Sequence, residues 1–572
     1  AEFGRATFGT QPERPGAQAA LLRILQLQRV EISRATSQFS ALVPATPKKP
    51  AATANADSAT VRSVDTLSQR PKFEERQFPA GSYVVRMDQP YSRIADALLD
   101  HQYWSPDDPQ KTPYDDTGWT FPENFGVQAV RITDPKVLDA PMQPVSGDVK
   151  SPGGVNGSGS VFVIDHNGDN ALATLRYRFP KADFQIAEEP FDAAGQKFAR
   201  GSFIIRGISS PTLNSAVTEL GLTAYAVGVA PTVKTHAARA ARVAIVHTWT
   251  NTQTEGWWRQ AFDVNGIPFD YISTQDVAKT PDLRAKYDVI LFPPTSGSPQ
   301  SIVNGLPMWR NAMPWKTTAE TPNIGKIAQT DDIRPGLGFA GVQNLSTFVN
   351  AGGVLVTVEN TADLAVTMGL ASGVSMNSAA RLHVVGSLLR TKIVDDASPL
   401  TYGIPDSLAV YSDGGQSFSV SNILGGRGGR PPDSNSRPTG RGTADDVDVP
   451  QGRPVLDARN EAPKKKPVQP WQAAPVTEEQ ERNPLTIIPP ALRPRVVLRF
   501  ADQRNLLVSG LLDGNDVAQR PVVVDVPSGK GHVILMGNNP IWRGYTQGTY
   551  FLVFNAMLNF DRLDSGRKLD TK

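Results

Sequence analysis

Two stretches of the chain carry the same order of aromatic, glycine, β-branched and charged positions, 120 residues apart. They are Phe78-Pro79-Ala80-Gly81-Ser82-Tyr83-Val84-Val85-Arg86 and Phe198-Ala199-Arg200-Gly201-Ser202-Phe203-Ile204-Ile205-Arg206. Each reads as a glycine turn feeding a buried strand. Apolar residues then recur at i, i+3, i+4 and i+7, as Tyr91, Ile94, Ala95 and Leu98 and as Leu213, Ala216, Val217 and Leu220, which predicts a helix after each strand. Ser210-Pro211 supplies a cap and first turn, and Gly221 a stop. Strand-like runs follow at 126–132 and 222–227, so the pattern predicts duplicated α/β units on parallel sheets. Upstream of the second copy lie a strand at 160–164, a helix at 171–177 and a strand at 183–186. The first copy has the helix (17–28) and the strand (30–32), but residues 1–10 offer no clear opening strand. The expectation is a sheet near Val30 and Val84 with an unfilled edge, open to a strand from another domain or a second copy. The alternative is that 1–10 folds back and fills the edge itself.

A third unit begins near Ala241. Strands are predicted at 242–246, 269–272, 288–292 and 354–358, with helices at 254–264 and 344–350, the rhythm of a flavodoxin-like open sheet. The end of the chain returns to strands at 495–500, 505–510, 521–526 and 532–536, then a closing helix at 550–559. Between them, 425–493 opens with Gly425-Gly426-Arg427-Gly428-Gly429-Arg430-Pro431-Pro432 and contains Lys464-Lys465-Lys466, a composition that reads as unstructured. Residues 41–60 read the same way, within a loop insert at 41–70. The expected organisation is α/β. Repeats at 1–150 and 151–235 precede an open sheet at 241–424, the loop at 425–493 and a β-rich portion at 494–572 that completes the third domain.

Composition narrows the chemistry. A chain of 572 residues suggests about three domains. The 48 glycines and 47 prolines argue against a helical bundle. A net charge of +2 gives no electrostatic case for nucleic acid or an anionic membrane. No stretch approaches the roughly 18 apolar residues of a spanning helix, and Ala1-Glu2-Phe3-Gly4 opens without the pattern of a signal peptide. With no cysteine there are no disulfides, thiolate ligands or thiol nucleophiles.

The remaining candidates are few. Zinc needs two ligands on one local element, and no His-x-x-Glu or close histidine pair exists; His236 and His247 are 11 apart. Asp165-His166-Asn167-Gly168-Asp169-Asn170 alternates oxygens as a calcium loop does, but its glycine is misplaced and Arg176 stands at position twelve, so a capped turn explains it more simply. The strand 354–358 runs into Glu359-Asn360-Thr361, where a nucleophile elbow would sit; Thr361 lacks flanking glycines and reads as a cap. His247, ending the first strand of that sheet beside Trp249, Trp257 and Trp258, lines either a pocket or a packed aromatic cluster. The loop Asn538–Thr549, with Arg543, offers either an anion site or simple capping. His247, Trp249, Asn360 and Arg543 are therefore the candidate ligand-binding residues, with no catalytic residue and no metal ligand named.

Three segments carry a family resemblance: Gly81 through Tyr91, Leu98-Leu99-Asp100-His101-Gln102-Tyr103-Trp104, and Pro113-Tyr114-Asp115-Asp116-Thr117-Gly118-Trp119. They resemble the region behind the catalytic domain in large bacterial zinc carboxypeptidases of the carboxypeptidase A superfamily. The run from Arg543-Gly544 to Phe554-Asn555-Ala556 resembles the end of those proteins. The likeness covers nearly the whole chain outside the two loops. In that family the peptidase domain comes first and carries a His-x-x-Glu pair, a later zinc histidine and a glutamate base; none of these matches here, so no catalytic residue is carried over. The third unit is similar in layout to class I glutamine amidotransferase-like domains, without their cysteine. The resemblance implies a non-catalytic C-terminal part of a secreted metallocarboxypeptidase-like protein, periplasmic or extracellular, packing on or extending a peptidase domain absent from this chain. Its implied partners are that domain or further copies of the chain, with no nucleic acid and no membrane span. Zinc is implied only for the absent domain, and no cofactor for this chain. The alternatives are a structural subunit of an extracellular or periplasmic assembly and a peptide- or sugar-binding module.

Overall fold

The computed structural model describes residues 2–3, 14–44, 73–110, 112–309, 311–377, 382–424, 470–473, 476–477, 480, 482, 484–514 and 516–568. Most of the loop expected at 425–493, and residues 45–70 of the first loop, lie outside the described residues. The architecture is mixed α/β, with several sheets.

The two glycine turns make the same contacts. Gly81 N donates to Ala35 O and Gly201 N to Ala187 O, both at 2.8 Å. Ser82 Oγ donates to Pro79 O at 2.8 Å, and Ser202 Oγ to Ala199 O at 2.7 Å. Each turn is entered by a hairpin closed by stacked phenylalanines, Phe39 on Phe78 at 5.1 Å and Phe191 on Phe198 at 5.2 Å. The first sheet runs Glu2–Phe3, Tyr83–Val84, Ser33–Ala35, Met142–Pro144. The second contains Val161–Ile164, Phe203–Arg206, Asp183–Ala187 and Thr235–Ala237 in the matching order. It extends past Val161–Ile164 with Thr223–Val227 and Gly154–Gly157.

Three expectations are corrected here. The sheets of the first 240 residues are antiparallel apart from one parallel pair, Thr223–Val227 with Gly154–Gly157. The cause is the hairpin Phe191–Ala193/Gln196–Phe198, which reverses the chain and inserts Phe203–Arg206 between the two strands that the helix Ala171–Arg178 joins. The edge expected to be open is occupied: Glu2–Phe3 pairs antiparallel with Tyr83–Val84. Residues 126–132 form no strand, because the helix Phe121–Phe125 ends in left-handed Gly126 and the chain leaves it irregularly. Two loop boundaries also move. Ala41 to Pro44 belong to the strand Phe39–Pro44, paired with Phe73–Phe78. Trp471 and Ile488, within the stretch read as unstructured, are buried.

The third sheet has ten strands. Five are parallel, in the spatial order Asp270–Ser273, Val243–His247, Val289–Phe292, Val354–Val358, Gly531–Met536. In order of chain appearance this is 2-1-3-4-5, with a topological switch between the first and third strands. Burial on both faces explains the apolar runs of the four strands inside the edge strand Asp270–Ser273. Val354, Val356 and Val358 enter one core and Leu355 the other. Pro521–Ser528, Arg495–Phe500, His383–Ile393 and Ser407–Ser412 continue the sheet antiparallel. Leu507–Asp513 also pairs with His383–Ile393.

The helix Phe551–Leu558 has no residue more than 1% exposed. Asn555 donates to Leu400 O (3.2 Å) and Tyr402 O (2.8 Å), and its Oδ1 meets His166 Nε2 at 3.2 Å. Asn559 Oδ1 meets His236 Nε2 at 2.8 Å.

The matching glycines predict unequal tolerance. Gly81 (φ +90°) faces only the end of the Arg34 side chain, whereas a Cβ on Gly201 (φ +94°) would lie 2.6 Å from Tyr402 Cβ. In urea denaturation Gly81→Ala is expected to cost about 1–2 kcal/mol, the left-handed backbone penalty. Gly201→Ala should cost about 3 kcal/mol or more, since overpacking adds to it. Equal losses would contradict the packing described.

Candidate functional site

The C-terminal ends of the five parallel strands collect several polar groups without partners. His247 ends the first strand and is buried. Its ring stacks on Tyr271 at 4.1 Å and meets Trp249 edge-on at 4.8 Å. Nδ1 lies 3.3 Å from Thr248 O. A carbonyl only accepts, so Nδ1 carries the proton and Nε2 is left as a bare acceptor. That Nε2 and the Trp249 indole N–H have no partner. Burial pulls the His247 pKa down to about 4, so the ring is neutral.

Glu255, on the helix Gln253–Val264, accepts a hydrogen bond from Tyr271 OH at 2.5 Å, while its Oε2 has no partner. Burial pushes this carboxyl up to about 7, against the opposing Tyr271 bond. Arg259 lies over the Tyr271 ring, 4.5 Å from its centroid. The aromatic cluster is packed as well as polar.

The elbow after Val354–Val358 is occupied by Glu359, at φ +53° and ψ −113°. A non-glycine residue in this backbone region is costly and persists only when its surroundings impose it. The imposing contacts are local. Glu359 N donates to Met536 O at 2.7 Å. Thr361 Oγ1 donates to Phe292 O at 2.6 Å and accepts from Val358 N at 2.8 Å. The Glu359 Oε1 has no partner. Burial, reinforced by Asp413, pushes its pKa up to about 8. Nearby, at the end of the fifth parallel strand, the fully buried Asn538 leaves both amide atoms unpartnered. Glu359 escapes a sequence search for thiol or hydroxyl nucleophiles. Its signal is only its place, the first residue after a fully buried strand.

Asn360 has its side chain fully engaged. Nδ2 donates to Thr295 O (2.7 Å) and Gly297 O (3.1 Å), and Oδ1 accepts from Thr295 N (3.1 Å). It closes the loop after Val289–Phe292, and Thr248 Oγ1 to Thr295 Oγ1 at 2.8 Å ties that loop across the switch point. The structure therefore brings His247, Trp249 and Asn360 to one end of the sheet, with Asn360 in a positioning role.

Arg543 has other partners. Its guanidinium pairs with Asp115 (2.8 Å) and Asp116 (3.2 Å) and lies over Trp542. Asp116 Oδ2 also accepts from Trp542 Nε1 (2.7 Å) and Tyr545 OH (2.8 Å), and Oδ1 from Tyr411 OH (2.8 Å). One carboxylate thus gathers four donors from two distant parts of the chain. Arg543, read as either part of an anion site or of a capped loop, is paired with these two carboxylates of the chain itself. The calcium-like run forms a turn: Asp169 Oδ1 accepts from Ala171 N at 3.1 Å, and Asp165 Oδ1 from Ala199 N at 2.8 Å. Among the described residues no group of three or more His, Asp or Glu side chains is arranged to hold a metal. No helix there is long and apolar enough to cross a membrane.

Two substitutions check these assignments. Asp116→Ala removes the shared acceptor and leaves Arg543 undercompensated, so a loss of about 3–5 kcal/mol is expected in urea unfolding, against little for Asp115→Ala. Glu359 titrates with a defined sign. A carboxyl with a raised folded pKa favours folding while protonated. That contribution is complete below its usual 4.5 and becomes a penalty as pH rises towards about 8. Glu359→Gln should match the parent near pH ~5 and exceed it near pH ~9, by up to a few kcal/mol. Parallel pH–stability curves for the two chains would refute the shift.

No family model and no curated protein matches the chain. Among solved structures, a cytoplasmic protein from Salmonella typhimurium is similar at 10% identity, over 55% of this chain and 97% of its own, with a TM-score of 0.27. A ThuA-like protein from Bacteroides uniformis is similar at 13% identity, over 57% and 94%, with a TM-score of 0.26. A β-galactosidase from Bacillus circulans is similar at 9% identity, over 55% of this chain but 31% of its own, with a TM-score of 0.25. Likenesses this slight carry nothing about function.

Proposed function

We propose that this chain is a non-catalytic, C-terminal part of a metallocarboxypeptidase-like protein, and that its role is to pack on and extend a peptidase domain. In this reading residues 14–240 form two copies of one α/β unit. The third sheet is flavodoxin-like and related to amidotransferase domains, with Glu359 where those place their thiol. The location would be periplasmic or extracellular, as the resemblance implies.

One observation carries the proposal. The segments that resemble the carboxypeptidase family hold exposed aromatics: Tyr91, Tyr103, Tyr114 and Trp119 are 46%, 67%, 97% and 36% exposed. The same segments are anchored from beneath, by Asp116 to the loop after Gly531–Met536 and by Gly510 N to Gln102 O at 2.7 Å. Exposed aromatics on a rigidly held surface are the usual composition of an interface core.

A photo-crosslinking residue at position 103 or 114, in the protein expressed from its complete gene, tests this. Crosslinks to a segment bearing His-x-x-Glu are expected, together with mass-spectrometric peptides placing that segment in the same polypeptide. A native polypeptide without such a segment would overturn the proposal.

A further inference from the structure

Asparagine followed by glycine is the pair at which a main chain can attack its own side chain, because glycine leaves its nitrogen unshielded. Four such pairs occur: Asn156-Gly157, Asn167-Gly168, Asn265-Gly266 and Asn304-Gly305. The fold treats them unequally. Gly168 is buried, and its N–H donates to His166 Nδ1 at 3.3 Å. Gly266 N donates to Asp263 O at 3.1 Å and Gly305 N to Ser301 O at 2.8 Å, each at the end of a helix. A nitrogen bonded in this way is held off its neighbouring side chain. Gly157 differs. The strand Gly154–Gly157 is the outermost of the second sheet and pairs in parallel with Thr223–Val227. Gly154 N donates to Leu222 O at 3.0 Å, and along a parallel ladder the bonded residues alternate. Asn156 therefore turns its N–H and C=O to the neighbouring strand, and the N–H groups of Val155 and Gly157 point outward. Val155 N donates to Asn214 Oδ1 at 2.9 Å, as that alternation requires. Gly157 N has no acceptor among the described residues. Asn156 and Gly157 are both exposed, and Gly157 has a φ of +83°.

We propose that Asn156-Gly157 is a site of spontaneous deamidation, which turns this strand edge from neutral to anionic as the protein ages. Loss of the Gly157 N–H proton lets the nitrogen attack Asn156 Cγ. The N–Cγ bond forms, the Cγ–Nδ2 bond breaks, and ammonia leaves carrying the proton that the nitrogen gave up. A five-membered succinimide remains. Water opens that ring at either carbonyl, giving aspartate or, with the main chain rerouted through the former side chain, isoaspartate. The attack needs the peptide plane between Asn156 and Gly157 to rotate out of its extended form. That rotation breaks the bond from Ala226 N to Asn156 O, which the register implies. A short outermost strand opens in this way more readily than a buried turn. Isoaspartate adds a carboxylate and one methylene to the main chain, so the ladder with Thr223–Val227 cannot continue past it. Gly157 also runs so close to Ala226 that a Cβ would lie 2.9 Å from its carbonyl oxygen, an approach that a lengthened chain loses.

Ageing the folded chain in mildly alkaline buffer at physiological temperature tests this, with peptides mapped by electron-transfer mass spectrometry, which separates isoaspartate from aspartate. Isoaspartate is expected at position 156, several-fold above its level at 167, 265 or 304. In a sample aged in concentrated urea the four positions should become nearly equal, because the difference lies in the fold. An isoaspartate-specific carboxyl methyltransferase, supplied with labelled methyl donor, should modify the aged parent strongly. Aged Asn156→Gln, whose longer side chain closes its ring far more slowly, should take up several-fold less label. Absence of isoaspartate from position 156, its appearance at 167, 265 or 304 ahead of 156, the same ranking in urea as in the folded chain, or undiminished labelling of Asn156→Gln would each overturn the proposal.

Discussion

The burial of one short helix on every side is the constraint from which the rest of the structure follows. Phe551–Leu558 has no solvent face, so each side must meet a different layer. Phe554 meets Phe262 of the third domain edge-on at 5.8 Å, and Phe551 meets His166 at 4.6 Å. Fully burying a large apolar side chain contributes about 1.5–3 kcal/mol, and nearly all of this helix is apolar. Its two asparagines set the register. Asn555 uses both amide hydrogens on two carbonyls and its oxygen on His166, and Asn559 reaches His236. An apolar helix alone would slide; these bonds fix where it sits. The cost falls on His166, whose burial lowers its pKa to about 4, so it enters the core neutral.

Electrostatics divides along the same lines. At the ends of the parallel strands, burial moves His247, Glu255 and Glu359 all towards their uncharged forms. At the N-terminal end of the fifth parallel strand the opposite holds. Burial disfavours charge on His532, but Asp525 at 2.7 Å and Asp564 at 3.6 Å outweigh it and hold the ring protonated, up to about 9. The sheet thus has one end that suppresses charge and one that retains it.

The sequence made some of this visible. A run such as Val354-Leu355-Val356-Thr357-Val358, four of its five residues β-branched, announces a strand buried on both faces. The parallel strands inside the edge were readable in this way, whereas Asp270–Ser273 at the edge is only partly buried. The repeated turn was readable because each position has the same local task in both copies: the glycine takes a positive φ, the serine hydroxyl donates to the carbonyl three residues back, and the phenylalanine stacks on its hairpin partner. Strand direction in the repeats was not. It depends on the hairpin through Phe191 and Phe198, whose residues lack alternation and whose stacking is seen only in three dimensions. The long strand His383–Ile393 was missed because Gly386, at φ +43°, interrupts its pattern. Of the site residues, His247 and Trp249 followed from their place at a strand end. Glu359 did not, since a carboxyl at an elbow fits no motif. Asp116 carries no local signal of its role, since its donors Tyr411, Trp542, Arg543 and Tyr545 lie some 300 to 430 residues away.

The position of the buried helix in the chain also orders events in time. Gly531–Met536 is the fifth parallel strand, pairing with Val354–Val358, and the helix that seals the core on one face of the sheet follows it. A ribosome emits residues from the N-terminus onward, so the first units can collapse early. The central sheet must wait, its fourth strand exposed along one edge, until nearly the whole chain has emerged. Such long-range closure is slow, and the waiting edge is prone to aggregation. Synthesis halted before the last few dozen codons would therefore leave an incomplete sheet and an unsealed core, rather than a slightly shorter protein.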